Sequence, residues 1–323
     1  MKTINIGLLG LGNIGTGTYK TLEMNRDEIE KNTGLDLHIT KILEKDLERE
    51  RDITITTDQF TQNPENIFND SNIQIVIELL GGIEPATTFM LEAMKHGKSV
   101  VTANKAAVAN SYDKLLQTAK ENNVMFRYEA SVGGGIPILN ALTTVLRANR
   151  YEEVLGILNG TTNYIMTQMT ENGSSYDDVL KDAQAKGFAE ADPTADIEGI
   201  DCANKLSILM ALTFGNYVHP DEIPTTGISQ ITKEDIDKAT AKGCKIKLIA
   251  QAKRDGDTIS YSVKPMELPV SHPLATVNDE FNAIFVRGNA VDDVMFYGKG
   301  AGPLPTGSAV MGDVIQIAET IGK

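Results

Sequence analysis

The sequence predicts an α/β chain of two domains: a doubly wound parallel sheet first, then an α+β domain with a largely antiparallel open sheet. Three observations carry this. A short apolar strand near the N-terminus runs through "GLGNIG" directly into an amphipathic helix. Strand-like and helix-like runs then alternate to about residue 133, the pattern of parallel strands joined by right-handed crossovers. After "VGGGIPILNAL" the two kinds of run segregate, as in an α+β domain with an antiparallel sheet. A chain of 323 residues is long enough to bury two cores. The expected division is 1–133 with a returning helix at about 303–323, and 134–302 between them.

In chain order, Gly10, Gly12 and Gly15 form GxGxxG between the first strand and its helix. That setting gives each glycine a reason: a tight turn, close approach of backbone to a pyrophosphate, and close packing of helix on strand. The free N–H groups at the helix start, around Asn13 and Ile14, then favour an anion. This predicts a Rossmann-type dinucleotide-binding domain. "LDLHITKIL" reads as the second strand, "DITITTD" as the third and "NIQIVIELLGG" as the fourth. A helix over Pro85–His96, a fifth strand in "KSVVTANKA", a helix over about Asp113–Asn122 and a sixth strand in "VMFRYEASV" complete the alternation. Ligands bind at the carboxyl ends of such strands, where Gly81, Gly82 and Lys105 fall. A cation at a helix start opposes the helix dipole. Lys105 is therefore either a solvated lysine or one facing an anionic cofactor or substrate.

In the second half, strand-like runs fall at Glu152–Asn159, Cys244–Lys253, Thr258–Met266, Asn282–Arg287 and Asp293–Tyr297. Asp255–Gly256 supplies a hairpin turn. Helices cluster between Asn163 and Phe214. The glycine-rich tail turns helical and is expected to pack back on the first domain. A small-molecule site is expected between the domains.

The net charge of −14 argues against nucleic acid or an anionic membrane as partner. No uncharged apolar run approaches the roughly 20 residues that cross a bilayer. Strand character by Thr3 leaves no room for a signal peptide. Cys202 and Cys244 lack disulfide or CxxC spacing, which fits a reducing, cytoplasmic setting. Four histidines form no paired ligand motif, so no transition-metal site is expected.

The most unusual stretch is "GFAEADPTADIEGIDCANKL", residues 187–206. If Asp196–Phe214 is one helix, Ile197, Asp201, Lys205, Ile208 and Leu212 share one face. Asp201 and Lys205 then lie one turn apart on an apolar stripe, and Lys205 is the only charge between Cys202 and Phe214. A surface ion pair at this spacing contributes only roughly 0.2–0.5 kcal/mol. The apolar neighbours argue instead for burial, which is costly for a charge unless it is paired or used.

Taken together, "GLGNIG", "TANK", "YEASVGGGIPI", "LNGTTNYI", the 187–206 stretch and "GKGAGPLPTGSAV" resemble the homoserine dehydrogenase family in order, from residue 4 to about 320. The resemblance implies NAD(P)-dependent interconversion of aspartate 4-semialdehyde and homoserine, in threonine, methionine and isoleucine biosynthesis. It implies coenzyme contacts at Gly10, Gly12, Asn13, Ile14, Gly15, Glu44, Lys45, Gly81, Gly82, Lys105 and Gly302. It implies substrate contacts at Gly160, Thr161, Glu190 and Asp196, with Glu190 facing the substrate ammonium. Lys105, Lys205 and Asp201 are the implied catalytic groups, with a lysine stabilising the oxygen that gains negative charge. The side chain of Glu129 and the carbonyls of Val132, Gly134 and Ile136 resemble a monovalent-cation site for Na+ or K+; a tight turn with a buried Glu129 is the alternative. A homodimer or higher homo-oligomer is implied.

Two features depart from the family pattern. The chain carries no segment like the regulatory ACT domain that many relatives append, so little feedback inhibition by threonine is expected. The second strand ends in "ILEKDL", where relatives often show an apolar residue and arginine. Glu44 would favour the ribose hydroxyls of NAD, whereas Lys45, Arg49 and Arg51 would favour a 2′-phosphate. Both coenzymes are therefore expected to work within about tenfold of each other. Two other readings stay open. One is a semialdehyde dehydrogenase forming an acyl-enzyme, which needs an activated cysteine. The other is a non-catalytic NAD(P)-binding regulator on the same fold.

Overall fold

The computed structural model describes residues 2–321. The chain divides into two compact units: one runs to Gly135 and takes up the chain again from Ala301, and the other is Ile136–Gly300.

The first unit is built on β1 (Lys2–Leu9), β2 (Leu35–Leu43), β3 (Phe60–Thr61), β4 (Ile73–Glu78), β5 (Ser99–Thr102) and β6 (Phe126–Arg127). These six strands lie in the order β3-β2-β1-β4-β5-β6 and pair in parallel throughout. The order reverses between β1 and β4, which opens the crevice that ligands use in such sheets. Both faces are covered, so the strands are apolar almost without alternation. Ile4, Ile6 and Leu8 pack with Leu37, Ile77 and Val101 against Val310, Val314 and Ile317 of the returning helix Pro303–Ile321. Leu9, Val76 and Val100 pack with Met90 and Met94 of the helix Ala86–Lys95 and with Leu115. Each such side chain, fully buried, stabilises the unit by roughly 1.5–3 kcal/mol relative to exposure.

The returning helix meets the first helix, Asn13–Thr33, backbone to backbone. A Cβ on Gly17 would stand 2.2 Å from the Pro303 carbonyl oxygen, and one on Gly307 would stand 2.8 Å from backbone atoms of Gly17 and Thr18. Only glycine permits that approach.

Two strands differ from the sequence expectation. The alternation in "DITITTD" does turn Ile53 and Ile55 onto the core, but this segment makes no ladder. The strand that pairs with β2 is Phe60–Thr61, beyond a short 3-10 turn at Thr57–Gln59. The sixth strand is only two residues long, because the chain curls at once into a second 3-10 turn, Glu129–Ser131.

The second unit carries β7 (Tyr151–Ile157), β8 (Cys244–Asp255), β9 (Thr258–Pro269), β10 (Phe281–Gly288) and β11 (Asp292–Lys299). They form an antiparallel sheet ordered β11-β10-β7-β8-β9. β8 and β9 are joined at Gly256, whose φ of 60° is the left-handed value a tight hairpin needs. The helices Gly160–Asn172 and Ile200–Phe214 pack on this sheet. β11 is an edge strand with Met295 and Tyr297 39% and 54% exposed.

The single helix expected over Asp196–Phe214 is two. Thr194–Ile197 ends at Gly199, which has a φ of 80°, and Ile200–Phe214 begins after it. The interruption has a tertiary cause: the Ile197 carbonyl accepts from the Ile228 N–H at 2.9 Å instead of continuing the helix. Gly227 passes so close that a Cβ there would lie 2.3 Å from the same oxygen. Ile197 therefore drops out of the expected stripe, and Asp196 is carried on the separate short helix. Asp201, Lys205 and Ile208 keep their places on it.

Candidate active site

In the second unit the site grows from the end of β7. Leu158 and Asn159 follow the strand, and Asn159 caps the helix Gly160–Asn172, its Oδ1 accepting from the Thr162 N–H at 2.9 Å. Asparagine suits that position because its oxygen satisfies a donor the helix leaves open. Its amide hydrogens are then spent on two carboxylates, Asp196 at 2.7 Å and Asp201 at 3.0 Å. The Thr161 hydroxyl shares its one hydrogen between the other Asp196 oxygen, 2.9 Å away, and the Phe188 carbonyl, 2.7 Å away. Gly160 cannot be replaced without displacement, since a Cβ would meet the Glu280 carbonyl oxygen at 2.8 Å.

Lys205 lies at the centre. Residues 201–210 are buried around the whole helix, and Lys205 and Asp201 are 7% and 4% exposed. The Lys205 ammonium donates to Asp201 Oδ2 and to the Leu158 carbonyl, both at 2.6 Å. An ammonium has three donors. The third Lys205 N–H has no acceptor among the described residues. The expected ion pair is thus a buried one, with a fixed cation that retains a donor.

Glu190 stands outside this network. Its side chain is exposed, and its carbonyl accepts from Gln184 at 3.1 Å. Sequence reasoning missed Asn159 and the Leu158 carbonyl. Asparagine just before a helix start was a signal for the first; a backbone carbonyl leaves none.

In the first unit the glycine turn is shaped as its spacing requires. Gly10 has a φ of 94° and abuts the Leu79 carbonyl, and a Cβ on Gly15 would lie 2.2 Å from the Gly10 oxygen. A Cβ on Gly12 would meet nothing within 4 Å, and no side chain caps the helix that starts at Asn13. Open space over an uncapped N-terminus fits a pyrophosphate. Across the strand ends, Gly81 and Gly82 have φ of 79° and 68°. Asn104 donates to the Gly82 carbonyl at 2.7 Å and caps the helix Lys105–Asn110. Lys105 is the first residue of that helix and is half-buried. At the end of the paired strand β4, buried Glu78 accepts from the Thr102 hydroxyl and the Leu80 N–H, both at 2.7 Å, and burial pushes its carboxyl above the usual range. Gly302, with a φ of 114°, leads into the returning helix.

Glu44 does not offer an open carboxylate. Its oxygens accept from the N–H groups of Leu11 at 2.9 Å, Lys45 at 2.8 Å and Asp46 at 3.0 Å, with the Arg51 guanidinium at 3.3 Å. Burial alone would push the carboxyl up; the three backbone donors and Arg51 outweigh it and hold Glu44 below the usual range. Arg49 donates to Asn13 at 3.0 Å, and Lys45 is exposed.

Glu129 is buried, and its N–H donates to Asp313 Oδ2 at 2.8 Å. Burial, with the Glu129 carboxylate adding to it, pushes the Asp313 carboxyl up to about 7. Gly133 and Gly134 follow with φ of 73° and 55°. Val132 and Gly134 lie in the first unit, whereas Ile136 opens the second. Two adjacent buried acids and a glycine-rich backbone fit a hard cation held by oxygens.

Removing one partner of a buried pair leaves an uncompensated charge, so Asp201→Ala should lower stability by about 3–5 kcal/mol. The double substitution to Asp201→Leu with Lys205→Met should recover most of it. Denaturant unfolding of the three proteins, followed by circular dichroism, checks both.

Comparison with known proteins agrees with this geometry. The homoserine dehydrogenase family profile matches residues 137–315, and that of the homoserine dehydrogenase NAD-binding domain matches residues 10–129. The homoserine dehydrogenase of Bacillus subtilis is 44% identical over 321 residues, covering 99% of this chain and 74% of the relative. That of Synechocystis is 41% identical over 325 residues, with the same two coverages. A solved homoserine dehydrogenase from Thiobacillus denitrificans, 41% identical, superposes with a TM-score of 0.95 over 100% of this chain and 74% of its own. A hyperthermophilic archaeal homoserine dehydrogenase in complex with NADPH, 26% identical, gives 0.80 over 99% and 98%. With its nucleotide turn, its buried lysine pair and relatives of this identity along its length, the chain belongs to the homoserine dehydrogenase family of oxidoreductases.

Proposed function

We propose that the chain interconverts L-aspartate 4-semialdehyde and L-homoserine, with the buried Lys205 as the group that stabilises and protonates the substrate oxygen. The observation that carries this reading is the Lys205 ammonium, fixed by Asp201 and the Leu158 carbonyl with one N–H remaining. When bound, the nicotinamide supplies or accepts the hydride. As the aldehyde carbon is reduced, its oxygen gains negative charge, and a fixed cation in a dry setting stabilises that charge strongly. Asp201 keeps Lys205 aimed. Asp196 holds the Gly160–Thr161 turn, whose backbone meets the substrate. Glu190, exposed and acidic, receives the substrate ammonium. Lys105, at the end of the strand that follows Gly81 and Gly82, belongs to the nicotinamide end of the first unit.

Oxidation of homoserine by the purified protein, followed at the nicotinamide absorbance, tests the activity. Lys205→Ala and Lys105→Ala should each lower kcat by at least roughly 100-fold with coenzyme binding nearly intact. Glu190→Gln should chiefly raise KM for homoserine. Wild-type turnover in a lysine variant, or an unchanged KM in the glutamate variant, would remove that residue from its role.

Both NAD and NADP serve as coenzyme in this reading. Glu44, saturated by its own neighbours, shapes the turn beside Leu11 and does not read the ribose, while Lys45 and Arg49 supply positive charge nearby. Glu44→Gln should therefore weaken both coenzymes together and move the ratio of their kcat/KM values by less than about threefold. A shift of tenfold or more toward NADP would give Glu44 a direct part in selection.

Buried Glu129 beside Asp313 supports a monovalent cation at Glu129, Val132, Gly134 and Ile136. Turnover should rise when choline chloride is replaced by KCl or NaCl at equal ionic strength. The edge strand β11, with Met295 and Tyr297 exposed, supports a homodimer through the second unit. A monomeric mass in sedimentation at micromolar concentration would contradict it.

A further inference from the structure

A second lysine is buried more deeply than Lys205, and the reaction as described does not use it. Lys247, on β8, is 1% exposed. Its ammonium lies 2.7 Å from the Val277 carbonyl, 3.0 Å from Asn163 Oδ1, 3.3 Å from Thr167 Oγ1 and 3.5 Å from Asn278 Oδ1. All four acceptors are neutral. A cation buried with no carboxylate in contact is costly, and burial, with Lys245 adding to it and Glu171 and Asp279 opposing it from further off, lowers its pKa to about 8. A methionine or leucine would fill the same space at no such cost.

What the ammonium holds is the connection between β9 and β10. Asn163, fixed through its oxygen by Lys247, places its amide nitrogen, with two hydrogens to share, within 3.2, 2.9 and 3.0 Å of the carbonyls of Val277, Asp279 and Phe281. Thr167 accepts the Asp279 N–H at 3.1 Å, and Asp279 is kept at a φ of 55°, a left-handed conformation unusual for a side chain that is not glycine. Between these anchors lies Glu280, whose carbonyl abuts Gly160. Gly160 opens the helix that Asn163 and Thr167 share, one residue after Asn159 and two after the Leu158 carbonyl that holds Lys205. One ammonium therefore ties the 277–281 segment to the helix whose start sets the site.

We propose that Lys247 is a positioning residue for the reaction: its buried ammonium locks the 277–281 segment against Gly160 and so fixes the Leu158–Thr161 turn that aims Lys205. The proposal rests on the catalytic reading of Lys205. Lys247 itself touches no substrate. Loss of the lock displaces the turn by a fraction of an ångström to an ångström, enough to cost about tenfold or more in rate.

The test is homoserine oxidation by K247M, K247R and K205A, with the folded fraction fixed by circular dichroism and coenzyme affinity by NADPH fluorescence. K247M should bind NADPH normally and keep its KM for homoserine within about threefold while kcat falls about tenfold or more. K247R, which restores donors but fits the apolar space less well, should recover part of that kcat. A packing role would rank the two variants the other way. Wild-type kcat in K247M, or K247R slower than K247M at equal folded fraction, would overturn the positioning role. Should K247M not fold, T167V removes the Thr167 oxygen and leaves the charge: a lowered kcat near the wild-type melting temperature supports the proposal, and an unchanged kcat overturns it. Full turnover in K205A would instead overturn the catalytic reading beneath it. An inactive K205A beside a fully active K247M overturns the positioning role alone.

Discussion

A cation inside a protein must be satisfied, and the second unit is organised around that requirement. Lys205 sits on a helix that is buried all round over residues 201–210, so its ammonium is largely withdrawn from water. Asp201 neutralises it from one turn away, and the Leu158 carbonyl takes a second N–H. Asp201 then needs a donor of its own, which Asn159 provides while also capping its helix and steadying Asp196. Each group answers a demand made by the previous one. What emerges is a polar cluster with few internal adjustments left, the condition under which a charge stabilises a transition state without reorganising.

The first unit answers a different constraint, the close approach of backbone to backbone. Gly10 and Gly15 make the turn tight, and Gly12 leaves it open on one side. Gly17 and Gly307 extend the same economy outward, letting the returning helix lie directly on the first one and close the sheet's face. Charge is handled locally here too. The loop after β2 folds back so that Glu44 satisfies the Leu11 N–H inside the glycine turn while Arg51 donates to the Leu11 carbonyl. Glu44 thereby braces the glycine turn from the end of β2.

Much was legible from the residues. The glycine spacing, the alternation of strands and helices, the later segregation of strands, the hairpin at Asp255–Gly256 and the i,i+4 pair Asp201–Lys205 all depend on local chemistry or on the period of one element, which a sequence displays directly. The family resemblance, carried by ordered motifs, reached further than periodicity could. The apolar neighbours of Lys205 even foretold its burial, because a helix apolar on every side has no wet face to offer.

The remainder waited on contacts between distant segments. The helix over Asp196–Phe214 breaks because the Ile197 carbonyl is captured by Ile228, some thirty residues away. Ile53 and Ile55 show strand alternation yet make no ladder, since pairing with β2 is decided by which residues reach its edge, and Phe60–Thr61 do. Glu44 turns inward because the N–H of Leu11 is presented to it, and Lys247 looks like any strand lysine until Asn163 and Val277 are seen around it. The sequence alone determined the elements, the glycine turn and the charge pair, since each is set by neighbours within a few residues. Tertiary structure alone decided which carbonyl, amide or carboxylate completes each buried polar group, because those partners lie tens of residues apart and only folding brings them within hydrogen-bond reach.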